Sequence, residues 1–214
     1  MPMSLRAPIV LLAALACSAC ATLNEHECRS GDWRQIGYQD GLRGYATSRL
    51  AEHQKSCAEH GLAGDANAWH LGYVEGQARY CSAENGYRLG RDGRSYADVC
   101  PPELDRGFRP AYEDGRSVGR LLTSLTSLES ELDRVGALLE EDDRRGAAYL
   151  EAIRNGRRPP ESTRLLAADE RRRAEQDHAR LSHDHHHVLD ELAARDAALS
   201  ARHGAEPLRL EPRH

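Results

Sequence analysis

The sequence Gly37-Tyr38-Gln39-Asp40-Gly41 carries the pattern that decides the fold: a small residue, a tyrosine, any residue, an acidic residue and a glycine. The pattern recurs at Gly72-Tyr73-Val74-Glu75-Gly76 and at Ala111-Tyr112-Glu113-Asp114-Gly115. Self-similarity of this kind indicates a structural unit that is repeated along the chain.

Each copy is expected to lie on a helix, because helix-initiating residues precede it. Asp32 stands before Trp33, Asp65 stands before residues 66–69, and Pro101-Pro102-Glu103 opens the third segment. On a helix, small residues four positions apart form a flat strip on one face. The glycines of these strips are Gly37, Gly41, Gly72, Gly76, Gly115 and Gly119.

An interior glycine costs a helix about 1 kcal/mol relative to alanine, so its recurrence predicts close contact between helix backbones. We therefore expect three helices packed through the glycine strips, with a tyrosine from each copy covering the junction, namely Tyr38, Tyr73 and Tyr112. The intervening segment 86–96 contains the turn signal Asp92-Gly93 and is interpreted as a loop or short hairpin.

Upstream of the repeats, an apolar run ends in Leu15-Ala16-Cys17-Ser18-Ala19-Cys20. Arg6 precedes this run, which is too short to span a bilayer as a mature helix, so residues 1–19 are typical of a bacterial lipoprotein signal peptide. Cys20 is the expected lipidation site and Cys17 the alternative. A secretory signal without an anchor is the competing interpretation. Because Ala21 rather than aspartate follows Cys20, the expected location is the periplasmic face of the outer membrane.

Four cysteines remain in the mature chain: Cys28, Cys57, Cys81 and Cys100. An even number in an oxidising compartment predicts two disulfides, with three connectivities open. A single helix over residues 32–61 would span about 42 Å, too far for Cys28 and Cys57 to be bridged. This expectation favours Cys28 with Cys81 and Cys57 with Cys100. A bond between Cys28 and Cys57 would require a break near Gly44.

The sequence after residue 117 has a different character. Apolar residues follow Val118 at steps of three and four, which is the spacing of a coiled-coil seam, at Leu121, Leu125, Leu128, Leu132, Val135 and Leu139. Tyr149 and Ile153 resume the stripe. Residues 155–160 end the helix, and a second helix over about 161–202 is expected to fold back as an antiparallel hairpin. The alternative is a single extended stalk. Residues 204–214 are expected to be disordered.

Histidines concentrate in the second of these helices, and the candidate metal ligands are His178, His183, His186 and His187. Two histidines four residues apart share one helix face, which suits Zn(II), Cu(II) or Ni(II). No cofactor is expected beyond adventitious binding of these ions, and an envelope metal-binding protein is the alternative function. A solvated helix face is the simpler interpretation.

The repeated acids allow two interpretations. Asp40, Glu75 and Asp114, together with His70, could form a catalytic or cation-binding cluster. Local ion pairs with Arg43 and Arg79 are the favoured interpretation, since these lie three residues after Asp40 and four after Glu75. No recognised catalytic motif occurs, so no catalytic residues are predicted, and an uncharacterised periplasmic enzyme is only the second alternative. The formal net charge of −5 disfavours nucleic acid as a partner.

A set of residues between positions 20 and 119 forms a recognisable pattern: Cys28, Gly31-Asp32-Trp33, Ile36-Gly37, Asp40-Gly41, His53, Cys57, Tyr80-Cys81, Gly86, Gly90, Gly93, Tyr96 and Cys100-Pro101. In these residues the chain resembles the bacterial lipoprotein family called domain of unknown function 2799. The family also places its lipidated cysteine eight residues before the position of Cys28, which favours Cys20. The resemblance brings no activity with it and does not extend to the C-terminal half.

Together these patterns predict an all-α protein: a lipidated tether over residues 20–31, a disulfide-stapled glycine-rich helical domain over 32–117, and a coiled-coil-like helical hairpin over 118–203. The expected function is that of a non-enzymatic lipoprotein acting as a structural or interaction module. It would bind the membrane through its lipid, and a protein partner or a second copy through its C-terminal helices.

Overall fold

The computed structural model describes residues 22–159 and 164–210. The predicted signal peptide and both candidate lipidation sites, Cys17 and Cys20, lie outside the described residues. Within them the chain is helical and forms no strand, which confirms the all-α prediction. The helices are α1 (Glu25–Ser30), α2 (Trp33–Leu42), α3 (Arg49–Ala58), α4 (Ala66–Tyr80), α5 (Ala83–Arg91), α6 (Pro102–Arg154) and α7 (Ala168–His203).

The chain divides into two compact units. The first comprises residues up to Ser82 together with Tyr96–Gly107, and the second comprises Ala83–Ser95 together with the residues from Phe108 onward. The boundary expected between residues 117 and 118 lies inside α6. None of the helices in the described ranges is both long enough and apolar enough to cross a membrane.

In the first unit, α2 and α4 pack backbone to backbone through their glycine strips. A Cβ atom added at Gly37 would lie 1.9 Å from the carbonyl oxygen of Trp69, and one added at Gly72 would lie 1.8 Å from that of Arg34. Gly41 and Gly76 meet the opposite helix in the same way. The close backbone contact predicted from these glycines therefore exists between the first two copies of the repeat.

The third copy has a different partner from the one predicted. In the second unit it lies on α6 and packs against α5, where a Cβ at Gly115 would lie 2.1 Å from the carbonyl oxygen of Tyr87. A Cβ at Gly90 would lie 2.1 Å from that of Tyr112. The loop or hairpin predicted for residues 86–96 is thus wrong over Gly86–Arg91, which are helical; Gly93, with φ +68°, forms the turn that follows.

Gly86-Tyr87-Arg88-Leu89-Gly90 is therefore a fourth copy of the repeat, with leucine in place of the acidic residue. The two glycine-packed pairs are equivalent in detail. The contact of Gly37 with Trp69 in the first pair is equivalent to that of Gly86 with Phe108 in the second. In the same way, the contact of Gly41 with Tyr73 is equivalent to that of Gly90 with Tyr112. The structure thus contains the same arrangement twice, and each arrangement is a pair of helices that carry one copy of the repeat each. The expected packing of three helices through one junction was wrong.

The two disulfides join Cys28 to Cys57 and Cys81 to Cys100. The pairing favoured from the sequence was wrong because residues 32–61 do not form one helix. Helix α2 ends at Leu42, and Gly44 takes up a left-handed conformation with φ +71°, after which α3 runs separately. The break brings Cys57 back to Cys28, with 5.4 Å between their Cα atoms.

In the second unit, α6 and α7 form the antiparallel hairpin predicted from the leucine pattern. Val118, Leu125, Leu192 and Leu199 belong to one apolar cluster, and Val135, Ala174 and Leu181 form another. Leu121, Leu128, Leu132 and Leu139 pack against these clusters. The seam through which a protein partner or a second copy was expected to bind is instead covered by α7. The extended-stalk alternative does not apply.

The segment after α7 was expected to be disordered, yet residues up to 210 are placed against the hairpin. Ala205, Leu208 and Leu210 pack against the cluster around Leu192. The backbone N–H of Leu208 donates to Asp196 Oδ2 at 2.6 Å. A buried carboxylate therefore fixes the returning segment, which residue composition alone did not indicate.

Candidate functional site

The candidate site lies at the start of the described chain, next to the predicted lipidation site. Thr22 follows Cys20 by two residues. Its backbone N–H donates to Ser56 Oγ at 3.0 Å, and its Oγ1 lies 2.7 Å from His53 Nδ1. Leu23 is buried in the core of the first unit. The chain is thus fixed to the first unit as soon as its described part begins.

A buried carboxylate completes the site. Asp40 Oδ2 lies 2.8 Å from His53 Nε2 and accepts a hydrogen bond from Trp69 Nε1 at 2.9 Å. Asp40 and His53 are only 4% and 2% exposed. Since a buried polar group costs free energy unless it is hydrogen-bonded, the mutual bonds of these groups hold α2, α3 and α4 in register around Thr22. We call Thr22, Asp40, His53, Ser56 and Trp69 the anchor clamp.

Local sequence signals place the clamp. Asn24 and Glu27 form a reciprocal capping box that starts α1 directly after Leu23. Asp32 caps α2 by accepting from the backbone N–H groups of Arg34 and Gln35. The segment 20–31 was expected to be a tether, but from Thr22 onward it is packed on the first unit. The capping box of α1 and the Cys28 disulfide hold it there.

The order of groups in the clamp, carboxylate, imidazole and hydroxyl, resembles that of hydrolytic triads. Here the hydroxyl belongs to Thr22, which is also held by Ser56, and the imidazole is almost completely enclosed. A general base must reach the proton that it removes from a substrate. The burial of His53 therefore favours a role in holding the chain.

The second glycine-packed pair provides an internal comparison for the clamp. The residue corresponding to Asp40 is Leu89, which is also buried, and the residue corresponding to Trp69 is Phe108. The second pair thus has neither the carboxylate acceptor nor the indole donor. The second unit pairs its helices without a carboxyl group at this position, so helix packing alone does not explain Asp40.

The three acids of the alternative carboxylate cluster each have a partner of their own. Asp40 bonds to His53 and Trp69, Glu75 forms an exposed ion pair with Arg34, and in the second unit Asp114 lies 2.9 Å from His203. The predicted local partners Arg43 and Arg79 were wrong, because each acid finds its partner on another helix. His70 is exposed and touches Trp69 edge-on.

The histidine cluster of α7 does not converge either. His183, His186 and His187 are exposed, and His186 Nδ1 lies 2.6 Å from the carbonyl oxygen of Ser182. His178 is half-buried beside Gly136. Within residues 22–159 and 164–210, no group of three histidine, cysteine, aspartate or glutamate side chains could hold a metal ion.

The second unit contains a buried polar network that the sequence did not reveal. Tyr87 donates to Asp196 at 2.7 Å, and Arg91 donates to the same carboxylate at 3.2 Å. Burial and the hydrogen bond to Asp196 raise the pKa of Tyr87 to about 12. Burial opposes ionisation of Asp196, but the hydrogen bonds from Leu208, Tyr87 and Arg91 together lower its pKa.

Comparison with known proteins finds a match over the part of the chain that contains the four copies of the repeat. Residues 32–117 match the model of the family described as "Protein of unknown function (DUF2799)". The resemblance stated for residues 20–119 is thereby confirmed over residues 32–117.

The chain is 28% identical over 94 residues to "Uncharacterized protein YfiL" of Escherichia coli (strain K12). The aligned region covers 44% of this chain and 73% of that protein. No solved structure matches the chain. The DUF2799 match includes Asp40, His53 and Trp69 but ends before most of the α6–α7 hairpin.

Proposed function

We propose that this protein is a lipid-anchored protein of the bacterial envelope, and that its DUF2799 domain is held rigidly beside a lipid on Cys20. In this proposal it is a non-enzymatic structural or interaction module. The observation that supports the proposal is the anchor clamp, which fixes Thr22 two residues after the predicted lipidation site.

The short separation has a mechanical consequence. Two residues of extended chain span about 7 Å, so a lipid on Cys20 would be joined to the clamp almost without a linker. A flexible tether of the usual kind would let a domain rotate freely above the membrane. The clamp would instead limit the orientations of the first unit at the bilayer surface.

The proposed compartment rests on two independent features. The apolar N-terminal segment with its cysteines is typical of an exported lipoprotein, and Ala21 after Cys20 favours the periplasmic face of the outer membrane. Both disulfides are of the kind that persists in an oxidising compartment.

Metabolic labelling with a fatty-acid probe tests the anchor. We expect Cys20→Ser to abolish labelling and to release the protein from the membrane fraction, because the thioether needs the Cys20 sulfur. The matched control is Cys17→Ser, which should label and fractionate as the unmodified chain does. Loss of labelling in Cys17→Ser but not in Cys20→Ser would show that the lipidation site is wrong. If both variants and the unmodified chain all fail to label, lipidation itself is refuted.

Limited proteolysis of the membrane-bound protein tests the clamp. We expect the bonds around Arg29 to resist trypsin in the unmodified protein and to be cut faster in His53→Ala, since Thr22 then loses a side-chain partner. Equal cleavage rates in the two proteins would contradict the role of the clamp. Labelling at Cys20 is scored separately, so the two parts of the proposal can fail independently.

A further inference from the structure

The end of α6 extends beyond the last contacts that join it to α7. Asp142 accepts hydrogen bonds from the backbone N–H of Leu166 at 2.8 Å and from Arg171 at 2.7 Å. Beyond this point, every residue from Ala147 to Arg158 except Ala152 is exposed. We call residues 149–158 the hairpin tip.

Large apolar side chains lie at the hairpin tip without cover. Leu150 is 62% exposed and Ile153 is 54% exposed, and Tyr149 is also exposed. Residues at positions i, i+1 and i+4 of a helix lie on one side of it. Tyr149 and Ile153 continue the seam that α7 covers farther along the hairpin, so the tip is the uncovered end of an otherwise buried stripe.

Basic side chains surround this apolar face. Arg154, Arg157 and Arg158 are exposed and form no ion pair with any residue that the structure describes. Glu151 is the sole acid between residues 146 and 159, so the tip carries a positive charge on a chain whose formal net charge is −5. By contrast, Arg144 and Arg145, which precede the tip on the same helix, both pair with Glu141.

We propose that the hairpin tip binds the surface of an anionic phospholipid bilayer. Leucine and isoleucine would enter the boundary between headgroups and acyl chains, tyrosine would lie at the headgroup level, and the arginines would contact lipid phosphates. A second copy of the tip would bring like charges together, which disfavours self-association here. This contact is separate from the lipid on Cys20 and requires nothing of it.

Sedimentation with vesicles tests the proposal on the full mature chain carrying Cys20→Ser, so that no acyl chain contributes. We expect binding to vesicles of phosphatidylglycerol and phosphatidylcholine, and at least tenfold weaker binding to phosphatidylcholine alone. Higher salt should weaken the binding to the anionic vesicles, because arginine–phosphate attraction is screened. Equal affinity for the two vesicle types, or binding to neither, would overturn the proposal.

Paired substitutions show whether the tip is responsible. We expect Leu150→Asp with Ile153→Asp to weaken binding about tenfold or more, and Arg157→Gln with Arg158→Gln to weaken it about fivefold for each charge removed. The matched control is Leu71→Asp with Val74→Asp on α4, where the side chains are 63% and 59% exposed. An equal loss in the control would overturn the assignment to the tip.

A fluorescent reporter separates insertion from simple attraction. Leu150→Trp places an indole at the tip, while the natural tryptophans Trp33 and Trp69 are buried and give a constant background. We expect a blue shift and quenching by brominated lipid when anionic vesicles are added. A variant that sediments with vesicles without either change would contradict insertion. A tip that captures a protein but no vesicle would also overturn the proposal, and the Cys20 labelling result would be unaffected.

Discussion

Replacing Gly72 with alanine should destabilise the first unit, although alanine is the better helix former. The added Cβ would lie 1.8 Å from the carbonyl oxygen of Arg34, where real Cβ contacts are no shorter than 3.0 Å. The contact atom is backbone, so relief requires α2 and α4 to separate by about 1 Å. Overpacking of this kind costs about 3 kcal/mol, and the helix propensity of alanine returns about 1 kcal/mol. The net expected loss is about 2 kcal/mol.

Gly107→Ala is the matched control. Gly107 lies within α6 in the same unit, and nothing lies within 4 Å of the position that its Cβ would take. The same chemical change should therefore stabilise the protein by up to about 1 kcal/mol. The two substitutions are predicted to have opposite signs because of packing alone.

Tryptophan fluorescence during urea unfolding of the oxidised protein measures the difference. The chain has two tryptophans, Trp33 and Trp69, and both are buried in the first unit, so the signal reports on that unit. The free energy of unfolding should fall for Gly72→Ala and rise for Gly107→Ala. If Gly72→Ala is as stable as the unmodified protein, α2 and α4 do not pack through their glycines.

Three further predictions concern the disulfides and the two buried networks. Non-reducing peptide mapping should join Cys28 to Cys57, and replacing both with serine should lower the free energy of unfolding by about 3–4 kcal/mol, given the sequence separation of 29 residues; a smaller loss would mean that the chain is constrained without this bond. Asp40→Ala should lower the free energy of unfolding by about 2–4 kcal/mol in the same urea assay, because it removes the acceptor of Trp69 and the partner of His53. Asp40→Leu with Trp69→Phe, which reproduces the second pair, should lower it less; equal losses would contradict this account. The pKa of Tyr87 is raised from 10.0 to about 12 in the folded chain, so the second unit should lose stability as pH rises from 10 through about 12. Circular dichroism measures this loss; Tyr87→Phe should remove the pH dependence, and an unchanged profile in that variant would exclude Tyr87 as its source.

The helices and their glycine contacts could be predicted because their causes are local. Asp32 and Asp65 cap α2 and α4 as their positions suggested, each accepting hydrogen bonds from backbone N–H groups of the first turn. Glycines four residues apart define a helix face whatever the partner is. The partner itself depends on contacts between distant residues, so the sequence predicted that the strips pack without showing which strips meet.

The errors have identifiable physical causes. The fourth copy was missed because the pattern required an acid where Leu89 stands, and the turn at Gly93 was extended too far upstream. The disulfide pairing failed because one residue, Gly44, ends a helix that was assumed to continue. The anchor clamp could not be found from spacing, since Asp40, His53 and Trp69 come from three helices and meet only after these helices pack.

The duplicated arrangement separates what the fold requires from what this chain adds. Both glycine-packed pairs have the tyrosines and the close backbone contacts. In the first helix of each pair, the residue before the second glycine of the repeat is buried; it is Asp40 in α2 and Leu89 in α5. The second pair buries Leu89, which costs no desolvation of charge, whereas the first buries Asp40. Since an apolar residue suffices for helix packing, the buried carboxylate is explained by its partner His53, which contacts Thr22. The added polarity thus lies on the path to Thr22, two residues after the predicted lipidation site. The proposed lipid anchor would need a rigid connection at this point.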